Sequence, residues 1–355
     1  MKHTIESLGW QFAENSVSGG GAVAAVIHGQ VTKLEKKLAS NQKPYYDLEL
    51  SDGAGVMKLK VWNNSPAFPQ CATAEARMKE GPLFLALDGM FRNGEYGFES
   101  NDFRLCSLND EAVQALFKGT AEQQAKVEAG WKVMMDLVNS IQDEVLRLIC
   151  QNIAQVCGED FKRAAAARGR HHARRGGLVE HVSMMMKSAD VICTVYPQLN
   201  RSLLLAGTFL HDIGKLVENQ YEIRGFNMPF TSDAELFGHI AIGVEYVRSF
   251  AKQALGPRHE IGMPWEFTVD CLCHLILSHH GQHAWGSPVE PKIPEAAALH
   301  YIDNMDAKLE TMRAAYAAAG DRKPGDVIEK VWPMPSNLVV PPKEDFSTQP
   351  LTYDY

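Results

Sequence analysis

The sequence predicts a multidomain α+β protein: a β-rich N-terminal part, then an all-helical part, then an irregular tail. Three observations predict it. Apolar residues alternate in short runs bounded by turn residues between residues 22 and 106. From about residue 108 the apolar period becomes helical. Beyond Gly320 the chain carries Pro324, Pro333, Pro335, Pro341, Pro342 and Pro350, which break both periods. A chain of 355 residues is long enough for two domains with their own cores.

The N-terminal elements follow in order. AVAAVIHGQV (22–31) reads as a buried strand. Tyr45 to Leu50 alternates toward an Asp52-Gly53 turn, and Val56 to Trp62 alternates away from it, a hairpin signal. Residues 66–79 have helical character. LFLALDGMF (83–91) and YGFESNDFRL (96–105) then make a second hairpin at Asn93-Gly94. Three strands, a helix and two more strands is the order of a five-stranded OB-type β-barrel, with its helix between strands three and four.

The helical part begins with amphipathic stretches over 108–156 and continues with helices over 178–194, 201–213, 236–255, 265–280 and 294–318. Asn200 is a candidate N-cap, Gly214 and Gly281 stop helices, and Pro294 opens one. The prolines leave the tail irregular and extended over the surface.

Composition excludes several classes. The net charge of −8 argues against a generally basic nucleic-acid coat. MKHTIESLGW lacks the apolar core of a signal peptide, and no run of about 18 apolar residues is present to span a membrane. The seven cysteines form no CxxC pair, so reduced thiols in a cytoplasmic protein are the expectation.

Chemistry is concentrated in the helical part. Eleven of the thirteen histidines lie between residues 171 and 303. His181 lies in GGLVEHV, His211-Asp212 in LLLAGTFLHDIGKL, His239 in LFGHIAIG, His279-His280 in LILSHHG, and Asp303 in LHYIDNMDAKL. Each group sits on or near the end of an apolar helix. Imidazoles and carboxylates suit borderline divalent ions such as Mn, Fe, Co, Ni and Zn. A carboxylate next to a histidine can bridge two ions about 3.5–4 Å apart, which can hold a phosphate and activate a water. Singly, each group has a plainer account. His181 would be a hydrogen-bonded core residue, His-Asp dipeptides are common, and His279-His280 suits a helix C-terminus. Asp303 and Asp306 would be a solvated face. Jointly, burying so many polar groups unpaired would be costly.

His181, His211-Asp212 and Asp303 resemble the H…HD…D signature of the HD-domain superfamily of metal-dependent phosphohydrolases. HDIGK, GHIAIG, LILSHHG followed by GSPVEPK, and IDNMDAK resemble the YhaM-type 3′→5′ exoribonucleases, which also place an OB fold before the HD domain. The resemblance covers roughly residues 20–320. It implies an OB nucleic-acid-binding domain over 16–107 and an HD domain over 131–320, joined by a connector helix over 108–130; the Pro-rich tail over 321–355 has no counterpart in it. It implies that His181, His211, Asp212 and Asp303 hold a first metal. Asp212 then bridges to a second, completed by His239, His279 and His280, with manganese as the implied ion. It also implies a catalytic role for Asp212 and for Lys215, whose ammonium would meet a phosphate oxygen; alone, Lys215 reads equally as a solvated lysine near a helix C-terminus. His283 is a spare ligand candidate, better read as a loop residue.

FKRAAAARGRHHARRGG carries six lysines and arginines and no acid between Phe161 and Gly177. Such a run suits phosphate contacts, and Arg170, His171, His172, Arg174 and Arg175 are the expected substrate-binding residues. The histidine pair is placed there by the resemblance. In the β-rich part, Lys33, Lys36, Lys37 and Lys43 flank a loop, and Tyr45, Tyr46, Trp62, Phe91, Tyr96 and Phe98 lie on or beside strands. Such residues can stack bases along a basic groove, although strand aromatics more often belong to the core.

The expected reaction is phosphodiester hydrolysis of single-stranded RNA, or single-stranded DNA, without a covalent protein intermediate. The 3′→5′ polarity and a homo-oligomeric state are implied by the resemblance alone. An HD phosphohydrolase acting on nucleotides or cyclic dinucleotides is the alternative, although no GYP extension follows His279-His280. A non-catalytic nucleic-acid-binding protein with a relic HD domain is a second alternative.

Overall fold

The computed structural model describes residues 2–16, 21–53, 55–94, 97–168, 172–255, 264–318, 322–331 and 333–342. They fall into two compact units. The first comprises residues 1–121, 222–227 and 311–355, the second 122–221 and 228–310.

The first unit opens with β1 (Lys2–His3) and α1 (Ile5–Ser16). The sheet follows as β2 (Val23–Leu38), β3 (Pro44–Ser51), β4 (Val56–Trp62), β5 (Leu83–Gly94) and β6 (Gly97–Ser107), with α2 (Phe68–Met78) between β4 and β5. β2 is long enough to serve two partners. Its Val23–Val31 stretch pairs with β5 and its Gln30–Leu38 stretch with β3, with a register shift between Val31 and Lys33. The hydrogen-bonded order is β4-β3-β2-β5-β6, and β1 pairs in parallel with β2. Leu48, Leu50, Leu59, Leu87, Phe91 and Phe103 fill the core, one face of the alternating strands.

The closed five-stranded barrel expected from the strand order is not formed: among the described residues no ladder joins β4 to β6. α2 offers a physical reason. Its Gln70 side chain accepts from the Leu105 N–H (2.9 Å), and Arg77 donates to the Ser107 hydroxyl (3.1 Å), so helix side chains satisfy groups on β6. β2 is also not buried on both faces, since Ala24 is exposed between buried Val23 and Ala25. Asn93-Gly94 belongs to β5, with Asn93 opposite Phe98, and the turn beyond it lies outside the described residues. Lys33 and Lys37 both contact Asp47, at 3.4 and 2.8 Å. Tyr46 and Phe91 are core residues, Tyr45 packs on Trp62 with ring centroids 5.1 Å apart, and Tyr96 lies outside the described residues.

α3 (Asp110–Lys118) closes this run, capped by the Asn109 side chain. The tail is more ordered than its prolines suggest. β7 (Val327–Ile328) pairs with β8 (Leu338–Val339). Met334 and Leu338 are buried in a small cluster with Ala315, and the Tyr316 hydroxyl donates to Val339 O at 3.1 Å.

The second unit is helical: α4 (Ala121–Asn139), α5 (Glu144–Arg163), α6 (Gly177–Val195), α7 (Arg201–Leu210), α8 (Lys215–Glu218), α9 (Ser232–Leu255), α10 (Pro264–Ser278) and α11 (Pro294–Ala318) up to Glu310, the rest of α11 belonging to the first unit. Asp143 and Asn200 cap α5 and α7 through Leu146 N–H (3.0 Å) and Leu203 N–H (3.1 Å). α7 is the centre of the core, with every residue from Leu203 to Leu210 buried. α9 starts earlier than its apolar period indicates and is interrupted at Gly238 (φ 68°), a conformation a side chain would strain. No helix among the described residues is long and apolar enough to cross a membrane.

Candidate metal centre

The buried Leu203–Leu210 stretch of α7 delivers its C-terminus, His211-Asp212, into the interior of the second unit. Around it the chain brings His181 from the second turn of α6, His239 from just past the Gly238 break, His279 and His280 from the turn after α10, and Asp303 from α11. Gly214 permits the approach of one of these segments, because a Cβ there would collide with the His239 carbonyl.

Asp212 is the hub. Its Oδ2 lies 3.3 Å from His211 Nε2 and 3.7 Å from His181 Nε2. Its Oδ1 lies 3.6 Å from His239 Nε2 and 3.8 Å from His279 Nε2. Each carboxylate oxygen therefore faces a pair of imidazoles. Asp303 Oδ1 stands 3.3 Å from His181 Nε2. The His279 and His280 rings are 4.4 Å apart, and the His239 ring is 5.3 Å from that of His280. His181, His211 and Asp212 form one set of mutually close ligand atoms, and His239, His279 and His280 another.

The backs of the rings decide which nitrogen faces inward. Nδ1 of His211 is 2.8 Å from Thr208 O, that of His279 is 2.7 Å from Ile276 O, and that of His280 is 3.0 Å from Trp285 O. A carbonyl can only accept, so each Nδ1 carries the hydrogen and each neutral ring keeps a bare Nε2. His181 Nδ1 bonds Asp306 Oδ2 at 2.7 Å, and His239 Nδ1 contacts Glu218 Oε2 at 2.6 Å.

Burial and charge then tune the groups. Burial pushes the Asp212 carboxyl up, but Lys215, His211 and His239 outweigh it and hold it well below the usual carboxylate range. Burial drives His279 well below the ordinary imidazole value, with His211 and His280 adding to it, and burial with His239 lowers His280. His181 differs: burial opposes its charge, yet Asp303 and Asp306 hold it up at about 10. A proton and a metal ion would compete for its Nε2.

Whether the site fits a metal can be tested on its unpartnered atoms. His211 Nε2, His239 Nε2 and Asp212 Oδ1 are buried and make no hydrogen bond. Lone pairs converging in a desolvated space are costly unless a cation lies between them. Nitrogen and carboxylate donors in this proportion suit a borderline divalent ion, so the residues fit one.

Lys215 Nζ lies 2.6 Å from Asp212 Oδ2. It lines a cleft of about 540 Å³ together with His239, His279, His280, Trp285, Asp303 and Asn304. His283 is outside the cluster; its Nδ1 is 3.0 Å from Ser287 O in the 3-10 turn His283–Trp285.

The described part of the basic run has partners within the protein. Arg170 and His171 lie outside the described residues. His172 is 3 % exposed, 3.3 Å from Asp306 and 3.6 Å from Glu180, and it shares Asp306 with His181. Arg174 pairs with Glu180 and with Glu310. Arg175 is half-buried, and burial with Arg163 lowers it to about 10. Lys162 pairs with Glu128 at 2.9 Å, and Arg168 donates to Met228 O (2.6 Å), Pro229 O (3.0 Å) and Glu218 O. Lys162, Arg168 and Arg174 are committed to the protein's own acids and carbonyls, because folding sets those partners beside them.

Two acids behind the rings escape sequence reasoning. Asp306 lies one helical turn from Asp303 on the same face, a spacing visible in the sequence but equally that of a solvated face. Nothing local marks Glu218.

Comparison with known proteins agrees with this geometry. The HD domain family matches residues 178–308. A 3′-5′ exoribonuclease YhaM from Geobacillus sp. (strain WCH70) is 31% identical over 304 residues, covering 85% of this chain and 87% of that protein. No solved structure matches. A buried cluster of histidines and aspartates inside the matched span, and a relative aligned over most of both chains, lead to one conclusion: the chain belongs to the YhaM-like family of HD-domain phosphohydrolases, and it is a hydrolase.

Proposed function

We propose that the protein is a cytoplasmic 3′→5′ exoribonuclease that hydrolyses single-stranded RNA at a two-metal centre. The observation that carries the reading is Asp212, with a pair of imidazole Nε2 atoms at each oxygen. His181, His211, Asp212 and Asp303 would hold one ion, and Asp212, His239, His279 and His280 the other, with manganese the ion named by the resemblance. Such ions, when bound, act as Lewis acids on a phosphodiester and raise the acidity of water.

The side chains do the rest. Asp212 stays ionised at any working pH, because Lys215 and the neighbouring imidazoles favour its charge. Lys215, at the cleft wall beside Asp212, would offer its ammonium to a non-bridging phosphate oxygen. The Nδ1 contacts behind each ring keep the Nε2 atoms aimed inward. The β-rich part, read as an OB domain over 16–107, would hold the strand. Its β4-β3-β2-β5-β6 order supports that reading, since it is the order of an OB barrel opened between strands three and five. The polarity rests on the relative, whose printed name is a 3′-5′ exoribonuclease.

RNA labelled at either end, incubated with the protein and manganese, tests the reading. A ladder shortening from the 3′ end and releasing mononucleotides is the expected result. Turnover of free nucleotides or cyclic dinucleotides with intact RNA would overturn it.

A further inference from the structure

The cleft beside the imidazole cluster carries an aromatic side chain that phosphate chemistry does not use. Trp285 ends the 3-10 turn after α10 and is 52 % exposed, although an indole has much apolar area to hide. Its exposure is not slack in the loop. The Trp285 N–H and the Ser287 N–H both donate to Gln282 O, at 2.9 and 3.2 Å, and the Ser287 hydroxyl donates to Val289 O at 2.7 Å. The Trp285 carbonyl accepts from His280 Nδ1 at 3.0 Å, which ties the turn to the cluster. The indole ring sits 5.7 Å from the His300 ring. Asn304, whose amide can both donate and accept, lines the same cleft.

A rigid, exposed aromatic in a nucleotide-sized cleft is a stacking surface. We infer that Trp285 stacks the base of the nucleotide whose phosphodiester the cluster holds, so the cleft accepts a nucleobase as well as a phosphate. This rests on the phosphohydrolase reading of the cluster and names the moiety recognised beside it. Every base has a π face, so the platform tolerates any sequence while favouring a nucleotide over a bare sugar phosphate.

Calorimetry on the full-length, manganese-loaded protein compares adenosine 5′-monophosphate with ribose 5-phosphate. The wild type binds the nucleotide roughly tenfold or more tightly. Trp285→Ala abolishes the difference while leaving ribose 5-phosphate binding unchanged, and Trp285→Phe retains most of it. Equal binding of the two ligands by the wild type, no measurable binding of the nucleotide, or a preference that survives in Trp285→Ala overturns the inference. The labelled-RNA ladder is read separately. Protein that prefers the nucleotide but leaves RNA intact sinks the exoribonuclease reading and leaves the platform standing; protein that degrades RNA without the preference does the reverse.

Discussion

Asp306 Oδ2 accepts a hydrogen bond from His181 Nδ1 at 2.7 Å, and this turns the opposite nitrogen of His181 toward Asp303 and Asp212. A carboxylate behind an imidazole orients the ring and raises its basicity as a ligand. Asp306→Asn keeps the shape and removes the charge. It is expected to lower divalent-ion affinity by about 10–100-fold with an unchanged circular dichroism spectrum. Metal content after dialysis against graded chelator checks it, and wild-type retention would refute it.

Asp212 stands between both imidazole pairs, so on the proposed two-ion reading its loss should affect both ions at once. Asp212→Ala is expected to lower RNA hydrolysis on the order of a thousandfold or more, the scale of several kcal/mol of transition-state stabilisation. Bound manganese, read by elemental analysis, should fall with it. His211→Ala should lose activity while keeping more metal, since His239, His279 and His280 form a set of their own.

Asp47 makes a pH-dependent contribution to the first unit. Its hydrogen bond to Lys37 (2.8 Å) lowers its carboxyl from the ordinary value against a smaller opposing effect of burial, and Lys33 adds to the lowering. A carboxyl depressed in the folded state stabilises the fold above its unfolded pKa of about 3.9 and loses that contribution as pH falls through the folded value. The contribution is about 1 kcal/mol or less, because the site is partly solvated. Melting curves of wild type and Asp47→Asn should differ at pH 7 and converge in acid, once the pH has fallen through the depressed folded value. A gap that persists in acid would contradict the assignment.

Burial pushes the Cys71 thiol up to about 12 and Cys273 up to about 11, and it raises Cys150 further still. Thiolate is the reactive form. Iodoacetamide at pH 8 should therefore label exposed Cys106 in the native protein, and reach Cys71 and Cys150 only after urea unfolding. Peptide mass spectrometry reads the order.

Arg168 braces the segments around it. Its guanidinium is shared among the carbonyls of Glu218, Met228 and Pro229, and it lies 4.0 Å from the centroid of the Phe230 ring. Arg168→Ala should cost about 2–3 kcal/mol of stability in urea denaturation, the scale of a lost charge-assisted hydrogen bond. A stability loss within error would refute the brace.

Much of this architecture is legible in the sequence, because helix and strand periods and caps are local properties. The apolar stretch after Asn200, the opening at Pro294 and the alternation of β3 and β4 each follow from neighbours a few residues away. The ligand candidates are legible for a similar reason: each lies beside apolar helix where an unpaired polar group would be costly.

What tertiary structure alone decided is pairing across distance. Both oxygens of Asp212 face imidazoles from other helices, Asp306 and Glu218 stand behind two of the rings, and the Leu105 N–H of β6 bonds Gln70 of α2 while no ladder joins β6 to β4 among the described residues. The basic run shows the same limit from the other side. Its charge is written in the chain, but the acids that neutralise it, Glu128, Glu180 and Glu310, belong to three other helices. A charge acts over a few ångströms in space, and which groups come that close depends on how helices pack, which no local period records.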